Sequence, residues 1–216
     1  MAFAPERQSP TAGRMSPRRS SCAKLPPMSV PALKRLDISA FLAFAEGREG
    51  KWELFDGVPV AMPPERIRHT SIKTRAVIAL DQAIRVARVA CGALTEGATI
   101  RIRNDRAFVP DALVVCPPPS DADADAIVID NPLIVVEVLS PSTAAVDQGI
   151  KLEGYFSLPS LAHYLILDPD RREVTHHKRG QGGGIERRIL NEGAMRLEPP
   201  GLDLRVADLF GLEVAG

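Results

Sequence analysis

Cysteine is scarce in this chain. Of 216 residues only Cys22, Cys91 and Cys116 are cysteine, odd in number and far apart. They form no Cys-x-x-Cys pair and no cluster with histidine. That pattern excludes a zinc site of ordinary spacing and predicts reduced thiols in a cytoplasmic protein. Long apolar runs are also missing. None approaches the roughly 20 residues that a bilayer-crossing helix requires, so no membrane partner is expected. Net charge is absent as well, with 27 basic and 27 acidic side chains. Residues 1–30 hold five of the basic ones (Arg7, Arg14, Arg18, Arg19, Lys24) and one acid (Glu6). The remainder therefore carries 22 basic and 26 acidic groups, a net charge of −4. This counts against a dedicated nucleic-acid coat, which shows a large basic excess, but leaves room for a local basic groove. There is no Gly-x-Ser-x-Gly and no paired Ser and His, which argues against a serine hydrolase. Internal repeats are lacking.

What is present divides into two parts. Residues 1–30, rich in Ser, Pro, Arg and Ala, show no periodicity and are expected to be disordered. They contain no apolar core of a secretory signal, and Met28 offers an alternative start. Residues 31–216 read as one α/β domain with a central mixed sheet flanked by helices. Asp37 is an N-cap candidate for a first helix. Asp56-Gly57 within "KWELFDGVPVAM" signals a tight hairpin. Arg66–Ala90 reads as a long helix with Ile67, Ser71, Thr74, Ile78 and Ala79 along its apolar side. "ATIRIR" and "AFVPDALVV" read as strands joined at Asn104-Asp105. Leu133–Leu139 reads as a central strand with helices on both faces, because it lacks polar alternation. Ser140–Thr143 then turns the chain into a helix near Ala144–Ser157. "HYLILDP" is another strand. "REVTHHKR" and "IERRIL" form a hairpin, and "LDLRVADLF" closes the chain with a short helix.

Two acids sit where carboxylates are expensive. Glu137 lies within "LIVVEVL", and an ionised group there must be paired, protonated or bound to metal. Asp111 follows Pro110 inside a second apolar strand, and a proline there fits an edge, a strand start or a bulge. Hard oxygens from two strands suit Mg²⁺. Lys151, 14 residues after Glu137, shares a helix face with Asp147 and Tyr155 and can return over the strand's end. The bland alternatives are an i,i+4 ion pair for Asp147 and Lys151, a solvated hairpin acid for Glu53, packing with an exposed hydroxyl for Tyr155, and a surface imidazole for His69.

"PDALVV", "LIVVEVLSPST", "DQGIKLEGY" and "SLAHYLILDP", in this order, resemble the Uma family of endonucleases. That family lies within the PD-(D/E)XK, restriction-endonuclease-like superfamily. "WELFDGVPVAMPP" and "LDLRVADLF" fit the same pattern, so the resemblance runs from about Pro31 to Phe210. It implies a restriction-endonuclease-like fold and a metal-dependent nuclease cleaving phosphodiester bonds, with DNA the expected nucleic acid. Carried over, Asp111 is the first acid and Glu137 the second, both metal ligands. The backbone carbonyl of Val138 adds a further ligand to Mg²⁺ (or Mn²⁺). The chain departs from the superfamily pattern at Leu139, where a lysine would stand, and Lys151 takes that role. Glu53, Asp147 and His69 are supporting positions. A homodimer is an expectation from fold-level analogy. The competing reading is a catalytically inactive module of the same fold with a binding or regulatory role.

Overall fold

The computed structural model describes residues 35–140 and 147–211. The expected N-terminal extension and the turn at 141–143 lie outside the described residues.

Asp37 caps the first helix, α1 (Ile38–Ala45), by accepting from Ala40 N at 2.8 Å. Strands β1 (Trp52–Phe55) and β2 (Val58–Ala61) pair with a two-residue loop. Asp56 and Gly57 there have φ 49° and 82°, the conformation in which Asp-Gly is favoured between twisted strands. Helix α2 (Ile67–Ala87) follows, then β3 (Gly92–Thr95), β4 (Thr99–Arg103), β5 (Arg106–Phe108), β6 (Ala112–Val115) and β7 (Val128–Ile129). The strand β8 (Pro132–Val138) leads through a wide π-helical turn (Asp147–Lys151) into α3 (Leu152–Ser157). The chain ends with β9 (His163–Asp168), β10 (Glu173–Arg179), β11 (Ile185–Leu190), β12 (Ala194–Leu197), β13 (Leu202–Arg205) and α4 (Val206–Phe210).

The strands form two main sheets and one small hairpin. One sheet runs β2-β1-β5-β4-β7, the other β11-β10-β9-β8-β6-β3, and β12 pairs with β13. Both large sheets are mixed: β8–β9 and β4–β7 are parallel, the remaining pairs antiparallel. The parallel β8–β9 pair requires a crossover, and the π turn and α3 supply it.

Four expectations about the elements change. First, "AFVPDALVV" is two strands. β5 belongs to the five-stranded sheet and β6 to the six-stranded one, so Val109-Pro110-Asp111 carries the chain from one sheet to the other. Proline cannot donate to a ladder, which suits this break. Second, β8 has α2 on one face, while its other face meets the five-stranded sheet as well as α3. Ile134, Val136 and Val138 pack with Ile72, Ala76 and Leu80 of α2. Val135 on the other face packs with Phe108 and Ile100 of the five-stranded sheet and with Tyr155 of α3. Third, the buried side of α2 is His69, Ile72, Lys73, Ala76, Ala79, Leu80, Ala83 and Ile84. Ile67 is 89% exposed and Ile78 50%. The stripe recurs every three to four residues, as a helix demands, but much of it is alanine, whose small side chain lets α2 lie close to the sheet. The closing segment likewise splits into β13 and α4.

The cysteine expectation is corrected too. Cys91 and Cys116 are disulfide-bonded, with Cα atoms 4.2 Å apart. They flank β3 and β6, whose register sets Gly92 opposite Val115, so antiparallel pairing brings together thiols 25 residues apart in sequence.

Candidate active site

The crossing between the sheets builds the site. Asp111 N donates to Val136 O, which docks the first residue after Pro110 against β8. Its Oδ2 accepts from Val138 N at 2.6 Å. On the other side, Glu53 Oε1 in β1 accepts from Val109 N at 2.9 Å. The five-stranded sheet therefore holds one end of the Val109–Asp111 link through the Glu53 carboxylate, and the six-stranded sheet holds the other through the Val138 N–H.

Glu137 lies on the face of β8 that meets the second sheet. It is 4% exposed. Lys151 Nζ donates to Glu137 Oε1 at 2.9 Å and lies 3.0 Å from Glu53 Oε1. Tyr155 OH donates to the same Glu137 oxygen at 2.8 Å. Burial, then the Glu137 charge, pushes the Tyr155 hydroxyl well above its ordinary pKa, so it remains a donor. The expectation of an exposed Tyr155 hydroxyl is thus overturned. Glu53 is no solvated hairpin acid either, being 1% exposed. His69 is buried and its Nε2 contacts Leu139 O. The side chain of Asp147 lies outside the described residues.

A cleft of about 310 Å³ opens beside these groups, and Asp111, Glu137, Val138, Lys151 and His69 all line it. Lys51, Met62, Pro63, Pro64 and Arg66 line it as well.

The sequence reading missed Lys73, Glu65, Glu96 and Lys51. Lys73 Nζ meets Asp111 Oδ1 at 2.5 Å and Glu96 Oε2 at 3.2 Å, and also contacts Glu65 Oε1. Lys51 joins Glu65 at 3.5 Å and contacts Glu96. Burial alone would lower the Lys73 pKa, but Asp111 and Glu65 outweigh it and hold the ammonium protonated. Burial pushes Asp111 upward against the opposing pull of Lys73. Burial also raises Glu96, but the hydrogen bonds from Lys51 and Lys73 leave it below the usual range. Among the described residues, carboxylate oxygens of Glu65, Glu96 and Asp111 lie within 4.8 Å of one another. One signal was available: Lys73 falls on the Ile72–Ala76–Leu80 stripe, where a charge must have a partner.

Comparison with known proteins places these elements in context. A family model described as "Uma2: Putative restriction endonuclease" matches residues 38–210. The uncharacterized protein slr1290 of Synechocystis is 30% identical over 184 residues, 80% of this chain and 89% of that protein. A second Synechocystis protein, the uncharacterized sll1609, is 33% identical over 72 residues, 33% of this chain and 41% of its own. A crystal structure from Anabaena variabilis, described as "a putative nuclease belonging to DUF820", shares the fold. Its TM-score is 0.65 at 20% identity, covering 81% of this chain and 97% of that one.

Proposed function

The chain belongs to the Uma2 family, and from that premise we propose that it is a metal-dependent endonuclease that hydrolyses phosphodiester bonds, with DNA as its substrate. The observation that carries the reading is the meeting of Asp111, Glu137 and Lys151 at one cleft, with both acids buried at adjoining strands. The donor set fits a divalent ion: hard carboxylate oxygens beside an open cleft suit Mg²⁺ or Mn²⁺, and no cysteine is among the described residues that line it. Asp111 and Glu137 would hold the ion, with the Val138 carbonyl as a further ligand. When bound, such an ion lowers the pKa of a water and neutralises charge growing on the scissile phosphate.

The protein's own groups do the rest. Lys151 fixes the Glu137 carboxylate and adds a compact positive charge where negative charge accumulates. Glu53 and Tyr155 fix Lys151 and Glu137 in turn. Arg66 and Lys51, which line the cleft, would offer phosphate contacts. A homodimer would pair two such clefts across two strands.

One observation favours a second reading, a catalytically inactive binding or regulatory module. Both acids already carry ammonium partners, Lys73 for Asp111 and Lys151 for Glu137. A cleavage assay separates the two. Purified protein is incubated with Mg²⁺ or Mn²⁺ and single- and double-stranded DNA and RNA. Cleavage by wild type that is lost in Asp111→Asn and Glu137→Gln supports the endonuclease; no cleavage, or equal cleavage by the variants, overturns it.

A further inference from the structure

Lys73 is buried, 5% exposed, and its ammonium sits among three carboxylates rather than one. The oxygens of Glu65, Glu96 and Asp111 are spaced as ligands of a divalent ion would be, and the Lys73 ammonium contacts all three. The cleft thus has two acidic compartments that share Asp111. One is formed with Glu137, the other with Glu65 and Glu96. Two-ion phosphodiester sites set their ions about 3.5–4 Å apart, and each needs its own negative charge.

We propose that Lys73 is a positioning residue that stands in place of a second metal ion. The cleft then takes a single divalent ion between Asp111 and Glu137. Glu65 and Glu96 serve the lysine, not a metal. This rests on the metal-dependent reading above.

The test is Mn²⁺ binding to the full chain without nucleic acid, read as stoichiometry by titration calorimetry. Wild type and Lys73→Arg bind one ion. Lys73→Gln binds two, and adding Glu65→Gln and Glu96→Gln to it returns the count to one. The Glu65→Gln/Glu96→Gln double variant with Lys73 intact keeps one ion, and this arm decides the matter if Lys73→Gln does not fold. One ion in a folded Lys73→Gln, or loss of the ion in the double variant, overturns the role of Lys73 while leaving metal dependence standing. No ion in wild type overturns the metal-dependent reading and this inference with it.

Discussion

Lys151 Nζ lies 2.9 Å from Glu137 Oε1 and 3.0 Å from Glu53 Oε1, so one buried ammonium joins acids from both sheets. Removing a partner from such a pair leaves an uncompensated buried charge, which costs roughly 3–5 kcal/mol. Lys151→Met is expected to lose stability on that scale in chemical denaturation. A loss below about 1 kcal/mol would mean the three groups are not coupled.

Glu137→Gln is expected to reduce cleavage at least about 100-fold, the scale of losing a charge-stabilising group. Because Glu137 is already paired in the metal-free protein, its apo stability does not report on metal. The informative quantity is the rise in melting temperature on adding Mn²⁺. Wild type should rise and the Gln variant should not; equal shifts would place the ion elsewhere.

Gly154 lies in α3 where a Cβ would come within 2.7 Å of Phe108 Cε2, a ring buried between the sheets. Gly154→Ala should therefore destabilise by about 1–3 kcal/mol through overpacking, although alanine is the better helix former. Because α3 carries Tyr155 and follows Lys151, cleavage should fall as well. A variant as stable as wild type would show that α3 can move away without penalty.

His163 Nδ1 and His176 Nε2 are 2.9 Å apart, and His163 Nε2 lies 2.9 Å from Pro199 O. Burial lowers both imidazoles to about 4, below the unfolded value near 6.5. Between these values the unfolded chain binds protons that the folded one refuses. Stability is thus fully present above pH ~6.5 and declines as pH falls toward 4, by up to about 3 kcal/mol per imidazole. Denaturation midpoints across that window should drop more steeply for wild type than for a His163→Gln/His176→Gln variant. Parallel slopes would contradict a neutral buried pair.

The Cys91–Cys116 bond leaves Cys22 as the remaining cysteine. Thiol titration of the denatured, unreduced protein should give one equivalent, rising to three after reduction. Closing a loop of this size contributes about 3 kcal/mol, and reduction should remove it. Three equivalents before reduction would exclude the bond.

Much of this could be read from the chain alone. Asp56-Gly57 dictated its turn by local conformation, and the aliphatic run of β8 could only be central. Glu137, and with it Asp111, stood out because a carboxylate is expensive in an apolar strand, whereas Lys151 stood out through the family resemblance. Lys73, Glu65 and Glu96 did not, since they come from a helix and two loops whose convergence only the tertiary fold creates. The face of α2 was misjudged because Ile67 and Ile78 outweigh alanine in hydropathy, whereas close packing selects the small side chains. The Cys91–Cys116 pairing was hidden for the same reason as Lys73: neighbours across β3 and β6 are distant in sequence.

The Val109–Asp111 link has one consequence beyond its own geometry. Glu53 grips it from one sheet and the Val138 backbone from the other, so the acids cannot keep their spacing if the sheets slide past each other. Local site geometry is thereby a gauge of a global property, the seating of two layers. Truncating Val135 or Ile100, remote from the cleft in function but lying between the sheets, should register at the cleft as weakened metal affinity before the protein itself unfolds.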